Sequence, residues 1–504
     1  MAIKLAALLP SVIIAVTQRH SILVFGVVTG FVIFSIIRYF QSPWRKLPPG
    51  PKGLPLIGNV LQMRSKQWLN FTKWRQEFGD VIYLSAAGQP IIVLNSHKAA
   101  ADLLDRRAGI YSGRPRNIVA AQIHCGGLAM VFQDYGTLWR KMRKAAHEGL
   151  NKSIVESFKT PQLNEAILLT SGLLAQPSTW DKHFRRTAAS MVMSVTYDTP
   201  PIVSELDSSV KAVNDFVARI TRAALPGAHL VEFFPWMMYI PSRFAKWKRD
   251  AEYWYERDSA MFMNLFNSVN EKLLKGIDRP SLVGTWIKDA DKYGLSPSEK
   301  SWLAATMYAA GAETTSGVMA WWMLAMVTYP DVQKRAQEEL DAVVDGREAL
   351  RWRPVDPLGL PHCSSEDDWY NGMFIPKGSI MMANVWHLNR DPRNIRRGCG
   401  ALQPCAVLGR ERRDDGHFTY GFGRRICVGK HVANNSLFID FAVMLWACTF
   451  KPGKAESGKE IPIDVDGCIE DGLVVRPIPF EANISPRFAE AVTLLAGERE
   501  FRGH

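Results

Sequence analysis

Residues 420–429 read YGFGRRICVG and place a cysteine, Cys427, in a glycine-rich loop. An apolar helix is predicted to begin directly after this loop, near Lys430. Glycines let backbone N–H groups approach the sulfur, while the first turn of the helix and Arg425 stabilise negative charge. The stretch therefore predicts a cysteine thiolate with a lowered pKa that ligates a metal.

Outside this loop, helical periodicity dominates the chain. Two short apolar runs, 81–84 and 90–94, flank a Gly-containing turn and predict a hairpin. Further strands are expected only around 370–382 and 471–478. The fold class is therefore mainly α with a small β-sheet region. Long helices are predicted over 133–149, 209–223, 250–275, 297–328, 330–343 and 430–447.

The N-terminal part of the chain predicts a membrane anchor. Residues 21–37 form a run of 17 residues without a charge, near the lower limit for crossing a bilayer. More basic residues follow this run than precede it, which favours a cytosolic location for the rest of the chain. The run has no small-residue cleavage site, which argues against a removable signal peptide. The expected organisation is an anchor at 1–40, a Pro/Gly-rich hinge at 41–60 and a globular domain at 61–504.

Composition bounds the remaining possibilities. Of 504 residues, 47% are hydrophobic and 22% are charged, which is typical of a folded globular protein. The net charge of +12 suits nucleic acid, anionic lipid or an acidic protein, but no base-stacking or groove-reading module accompanies it, so no nucleic-acid partner is expected. Seven widely spaced cysteines indicate a reducing compartment.

A second chemical motif, AGAETT at 310–315, lies inside the apolar helix predicted over 297–328. Gly311 removes a side chain, and Thr314 can bond the carbonyl of Ala310, so the helix is expected to open a groove there. Glu313 and Thr314 supply an acid and a hydroxyl, the groups needed to pass protons to a bound oxygen. Taken alone, a threonine pair within a helix is more often ordinary packing.

The decapeptide at 420–429 is similar to the haem-binding signature of the cytochrome P450 family, with Tyr420 where the family usually has Phe. AGAETT resembles the family's oxygen-activation motif, and other stretches match in order from the hinge to the C-terminal strands. The sequence of residues 366–378 looks most like that of fungal microsomal members in the group that contains O-methylsterigmatocystin oxidoreductase. The resemblance implies a cytochrome P450 fold preceded by an N-terminal transmembrane helix, with haem b ligated by Cys427.

The resemblance also implies roles for other positions. Trp139 and Arg143 fit the family's WxxxR and would contact the haem propionates from one helix face. His362 and Arg425 match further propionate contacts, and Gly311 matches a position beside the cofactor. The ordinary alternative for the WxxxR match is a solvated basic helix. Glu348 and Arg351 fit the ExxR pair that supports the core behind the haem.

The function implied is oxygen insertion into an apolar small molecule, in fungal secondary or xenobiotic metabolism. Electrons would come from NADPH through cytochrome P450 reductase, with cytochrome b5 as a further candidate partner, at the endoplasmic reticulum membrane. A basic proximal surface would dock the reductase. The expected cavity lining is apolar. The surface consists of Arg140, Lys141, Lys144, Arg424 and Lys430, and the lining consists of 112–125, 231–243, 305–315 and 355–360.

Two segments depart from the family. Residues 341–348 omit the helix that should connect to ExxR, and 393–413 carry six arginines and two cysteines where an aromatic PERF-like stretch is expected. The arginine of the supporting triad is therefore unassigned, with Arg410 and Arg412 as candidates. Our hypothesis is a shifted reading frame or a missed exon boundary, which cDNA reading through the segment unchanged would refute.

The departures motivate an alternative function, a non-catalytic or defective haem protein. Normal haem stoichiometry without turnover would favour it. A haem-thiolate isomerase or dehydratase that needs no reductase is a third class, and the intact AGAETT motif argues against it.

Overall fold

The computed structural model describes residues 29–31, 33–63, 65–202, 204, 207–225, 227–342, 355–391, 418–470 and 474–503. Within these ranges the protein is mainly helical with small sheets, which confirms the predicted fold class. The longer helices are α1 Gln67–Phe78, α2 Thr137–Leu150, α3 Lys159–Ala175, α4 Trp180–Tyr197, α5 Ser208–Ala224, α6 Lys246–Leu274, α7 Leu282–Lys288, α8 Pro297–Thr328, α9 Pro330–Ala342, α10 Lys430–Ala447 and α11 Ala491–Phe501.

The strands are short and pair in four small sheets. The largest has the order β1-β2-β6-β3, with β1 and β2 antiparallel and β2 and β6 parallel. The predicted hairpin is confirmed, with a tighter turn than expected. The strands are β1 Val81–Ala86, β2 Gln89–Leu94, β3 His362–Cys363, β4 Asp368–Tyr370, β5 Met373–Ile375, β6 Ile380–Ala383, β7 Cys448–Pro452, β8 Cys468–Ile469, β9 Arg476–Pro477 and β10 Ala482–Pro486.

Helix α8 is the longest helix of the larger unit, and its bounds match the prediction to the residue. Ser296 and Glu299 form a reciprocal capping box at its start. Its mean composition is apolar, and most of its side chains are buried against α4 and α6. The helix ends at Thr328 because Pro330 disfavours helical backbone in the residue before it.

Several elements were not predicted. Hydrophobic periodicity did not predict helices α1, α3, α4 and α11. It also did not predict the antiparallel pair of β7 and β10. Helix α3 carries Pro161 in its first turn and Gly172 near its end, and α4 mixes Ser, Thr and Val with charged residues. Their helical structure depends on tertiary packing, since α3 contacts both α4 and α10.

The chain divides into two compact units. One comprises Met1–Pro48 with Asp367–Lys377, and the other comprises Pro49–Glu366 with Gly378–His504. In the smaller unit, the hairpin of β4 and β5 contacts a short helix at Pro43–Lys46, and the rings of Trp44 and Phe374 lie 6.1 Å apart. No helix among the described residues is long and apolar enough to cross a bilayer, and residues 1–28 and 32 of the predicted anchor lie outside them.

Candidate functional site

The loop before α10 holds Cys427 through a compact set of backbone bonds. The amide of Cys427 donates to the carbonyl of Tyr420 at 2.8 Å. Gly423 has φ +55°, and its amide donates to Asp105 at 2.5 Å. A Cβ at this position would lie 2.1 Å from the carbonyl oxygen of Leu104, so only glycine fits. The loop is thus locked onto the segment around 104–105.

The Cys427 side chain is accessible although it is enclosed by protein, so it lines an internal opening. Burial raises the pKa of its thiol, while the amide of Gly429 and the charges of Arg143 and Lys430 lower it. The expected stabilising groups are therefore present. The prediction of a lowered pKa is nevertheless wrong for the protein alone, because burial outweighs them.

Helix α8 has an exposed turn at its centre, between turns that are buried. Ala310 and Thr314 are both exposed, one turn apart, inside a helix whose residues 302–308 and 319–327 are buried. The Thr314 hydroxyl donates to the carbonyl of Ala310 at 2.7 Å, which confirms the expected bond. Exposure at the centre of a buried helix indicates an internal cavity there.

The opened turn of α8 and the cysteine loop border the same apolar core. Val428, adjacent to Cys427, belongs to this core, as do Ala309 and Ala312 of α8. The core therefore connects two parts of the chain that are more than a hundred residues apart in sequence.

Gly311 and Glu313 have neighbours that the sequence did not indicate. A Cβ on Gly311 would lie 2.7 Å from Val192 of α4, so the missing side chain permits close packing of two helices. The Glu313 carboxylate lies 4.0 Å from the guanidinium of Arg185, also on α4. A contact of Gly311 with a cofactor stays a prediction, as does a catalytic role for Glu313.

Arg425 is the best-defined predicted site residue. It is buried, and its guanidinium donates to the carbonyls of Ser112 and Gln133, each at 2.8 Å. The same guanidinium lies 4.3 Å from the ring centroid of Trp139. Burial and the nearby charge of Arg114 lower the pKa of Arg425 to about 9.

His362 and Arg114 lie beside Arg425. Arg114, Arg143, Arg425 and His362 together are called the cationic cluster. His362 is buried in β3, with its Nδ1 2.7 Å from the carbonyl of Tyr111. Burial, together with the charges of Arg114 and Arg425, lowers the pKa of His362 to about 3, so the ring is neutral near pH 7. Burial also lowers the pKa of Arg114 to about 10, although Asp356 opposes this shift.

Arg114 was missed in the sequence because no local motif marks it. Its guanidinium donates to the carbonyls of Val131, Leu360 and Pro361 at 3.1, 3.0 and 2.6 Å. These contacts join positions up to 247 residues apart.

Helix α2 contributes the predicted pair Trp139 and Arg143. Trp139 is buried beneath Arg425, and Arg143 is close enough to Cys427 for their charges to interact. Burial lowers the pKa of Arg143. Cys427, Trp139, Arg143, His362 and Arg425 therefore lie in one region, as the resemblance implied.

Other predicted residues lie outside the described ranges. Glu348 and Arg351 fall in 343–354, and Arg410 and Arg412 fall in 392–417. The ExxR pair and the triad arginine therefore stay predictions.

The described residues fit haem b. An exposed cysteine, an opened helix turn and a set of buried and half-buried cations lie in one region, and Asp356 and Asp134 offset the charge of these cations only in part. Haem b needs a thiolate for its iron and positive groups for two carboxylates. Arg114, Arg143 and Arg425, with Trp139 and His362 beside them, would hold the carboxylates, and Cys427 would ligate the iron.

Comparisons with known proteins agree with this reading. The sequence pattern of the cytochrome P450 family matches residues 48–394. A cytochrome P450 monooxygenase of Armillaria gallica is 58% identical over 501 residues, covering 94% of this chain and 96% of the relative. Cytochrome P450 monooxygenase 58 of Postia placenta is 43% identical, covering 89% of this chain and 90% of the relative.

A solved zebrafish cytochrome P450, described with abiraterone, has a TM-score of 0.64 and covers 84% of this chain and 100% of its own. Its sequence identity is 21%, so this likeness concerns the fold alone. The sequence matches, together with the geometry around Cys427, show that the chain belongs to the cytochrome P450 family and is a monooxygenase of it.

Proposed function

We propose that this protein uses haem b to insert one atom of molecular oxygen into an apolar small molecule, with electrons from NADPH delivered by cytochrome P450 reductase. The observation that carries the proposal is the accessible Cys427 thiol beside an opened turn of α8. Haem ligated by a thiolate supplies the chemistry that cleaves dioxygen. A role in fungal secondary or xenobiotic metabolism is part of the proposal.

The residues of the chain have separable tasks in this proposal. Cys427 provides the ligand atom, and the amide of Gly429 stabilises its negative charge. The Thr314 hydroxyl donates its hydrogen bond to the carbonyl of Ala310, which leaves the lone pairs of its oxygen available to accept a hydrogen bond in the opening. Glu313 is adjacent to Thr314 in the chain and its side chain is partly exposed. In this proposal Glu313 would supply protons to the opening, and the Thr314 oxygen would accept a hydrogen bond there.

The first experiment is the reduced, carbon monoxide difference spectrum of the full chain expressed in microsomal membranes. We expect a Soret band characteristic of thiolate ligation, and we expect Cys427→Ala to abolish it. Cys125→Ala is the matched control, because Cys125 is buried, and burial raises the pKa of its thiol. Protein present in the membrane without the band would refute the proposal.

A reductase partner is proposed from exposed basic side chains. Arg140 and Lys144 of α2 and Arg424 of the cysteine loop are exposed. Exposed basic side chains accelerate association with an acidic protein. Reversing Arg140 and Lys144 to Glu should slow electron transfer from the reductase at low salt and leave the carbon monoxide band intact.

Membrane attachment is proposed from the uncharged run at 21–37. The full chain should remain with microsomes after alkaline carbonate washing, with the catalytic unit on the cytosolic side of the endoplasmic reticulum. Deletion of residues 1–40 should release at least part of the protein into the wash.

A non-catalytic haem protein is the second candidate function. The observation that favours it is that the family match ends at residue 394, inside the atypical segment 393–413 and before the cysteine loop. A normal carbon monoxide band without NADPH-dependent consumption of oxygen, across a panel of apolar compounds, would favour this candidate.

A further inference from the structure

The short helical segment Ile118–His124 is held at its beginning by a carboxylate from a distant part of the chain. The amide of Ile118 donates to both carboxylate oxygens of Glu232, at 2.9 and 2.8 Å, and the amide of Val119 donates to one of them at 2.9 Å. Asn117 accepts from the next amide, that of Ala120, at 2.8 Å. Each of these first three amides therefore has a partner.

A second carboxylate holds the other end of the segment. His124 Nε2 lies 2.9 Å from Asp258 of α6, and both side chains are buried. Arg219 of α5 donates to the second oxygen of Asp258 at 2.6 Å, and its guanidinium lies 3.8 Å from the ring of Trp254. Helices α5 and α6 are thus both joined to the segment through Asp258.

Apolar contacts join the same parts of the chain as the two carboxylates. Ile118 and Val119 form a buried cluster with Val231, next to Glu232, and with Ala251 of α6. Apolar contacts fix little direction, whereas hydrogen bonds to charged groups fix both register and orientation. The two carboxylates therefore define where the segment lies on α5 and α6.

The segment is linked to the site by the chain before it and by the core behind it. Ala120 belongs to the large apolar core that also contains Ala309 and Ala312, which flank the exposed turn at Ala310. The chain before the segment carries Arg114 of the cationic cluster. A shift of the segment would thus change the space beside the opening without touching Cys427.

We propose that Glu232 and Asp258 are positioning residues, which clamp Ile118–His124 at both ends and thereby set the size of substrate that the opening retains. This inference rests on the proposed function, since it assumes that the opening holds substrate. Neither carboxylate contacts the reacting atoms. They act through the 118–124 backbone and through His124.

The test uses the haem-loaded full chain and three variants: Glu232→Ala, Asp258→Asn and, as the matched control, Asp250→Asn. Asp250 lies on the same helix as Asp258 and pairs with the exposed Lys246. Amide hydrogen exchange over 117–125 should be at least about tenfold faster in the first two variants and unchanged in the control. Glu232→Gln keeps an acceptor oxygen and should restore part of the protection.

The second readout concerns the opening. Imidazole and the bulky azole clotrimazole both shift the Soret band when they ligate haem iron. In Glu232→Ala and Asp258→Asn, clotrimazole should dissociate about tenfold faster, because fewer contacts retain a large ligand. Imidazole binding and the carbon monoxide band should stay as in the unmodified protein.

Unchanged exchange in both clamp variants would overturn the proposal. Faster exchange with unchanged clotrimazole kinetics would overturn its second part, that the clamp sets the size of the retained ligand. If the unmodified protein lacks the carbon monoxide band, the proposed function fails, while the exchange comparison still decides whether the clamp exists.

Discussion

Two charge clusters inside the larger unit differ in how their charges are balanced. In one, Arg186 of α4 donates to Glu165 of α3 at 2.8 Å and Ser190 donates to the other carboxylate oxygen. Burial, then the charge of Glu165, raises the pKa of the neighbouring Asp440 well above its ordinary value. This balanced cluster pairs the buried Glu165 carboxylate with the buried Arg186 guanidinium.

The other cluster contains Arg114, Arg143, Arg425 and His362, and its hydrogen bonds go mainly to backbone carbonyls. Asp356 and Asp134 offset only part of its charge, and the pKa values of Arg425 and His362 are lowered. Burial of cations whose charge carboxylates offset only in part gives a protein little stability. We therefore propose that the balanced cluster serves the fold and that the cationic cluster serves an anionic ligand.

Arg186→Met should have the largest effect on the fold. It leaves the Glu165 carboxylate buried without a cation, and we expect a loss of about 3–5 kcal/mol in the free energy of unfolding. Urea unfolding at fixed haem occupancy measures it. Arg335→Met, at an exposed arginine of α9, is the control. Adding Glu165→Gln to Arg186→Met should recover much of the loss, and no recovery would mean that the pair is not the cause.

Arg425→Gln should instead weaken haem binding. It removes a charge-assisted interaction of about 1.5–3 kcal/mol while leaving room for a polar side chain. The ratio of haem to protein after gel filtration should fall, with a smaller change in unfolding than for Arg186→Met. Arg140→Gln, at an exposed arginine of α2, is the control. Haem retention equal to that of the unmodified protein would contradict the ligand role of the cationic cluster.

His362 should make the protein sensitive to acid. Its folded pKa, about 3, is below its ordinary value of 6.5, so the unfolded chain binds more protons between these values. Its contribution to stability is present above 6.5 and is lost as pH falls toward 3. Between pH 7 and 5 we expect a loss of about 2 kcal/mol, and less in His362→Gln.

The control for this pH dependence is His147→Gln, which changes an exposed histidine of α2. Haem-loaded protein should be less sensitive to acid than the haem-depleted fraction, because bound carboxylates offset the cationic charge. Equal sensitivity of the two fractions would separate His362 from the ligand.

Local patterns predicted some parts of the molecule well. Helices α8 and α10 were predicted to the residue, because α8 has its own cap and proline signals and both are long and apolar. The cysteine loop was also predictable, because its glycines and Cys427 lie within ten consecutive residues. Predicted site residues from three separate segments, Trp139, His362 and Arg425, also lie together in the structure.

Features that depend on distant contacts were not predicted. Arg114 acquires its place from carbonyls at Leu360 and Pro361, and the clamp joins Ile118 to Glu232. The raised pKa of Cys427 in the haem-free chain was not predicted either, because burial, which a sequence does not display, outweighs the neighbouring positive groups. Helix α4 was not predicted, because its helical structure depends on packing against α8.

The smallest effect is expected at a third set of charges, which is exposed. Arg185 of α4 donates to Asp181 at 2.9 Å and lies 4.0 Å from Glu313. Its side chain and that of Asp181 are each 41% exposed, so water screens the pair. Arg185→Ala should change the free energy of unfolding by no more than about 1 kcal/mol, measured by the same urea titration as Arg186→Met. A loss as large as that of the adjacent Arg186 would show that exposure does not separate the two clusters, and the contrast between balanced and unbalanced burial would then need another cause.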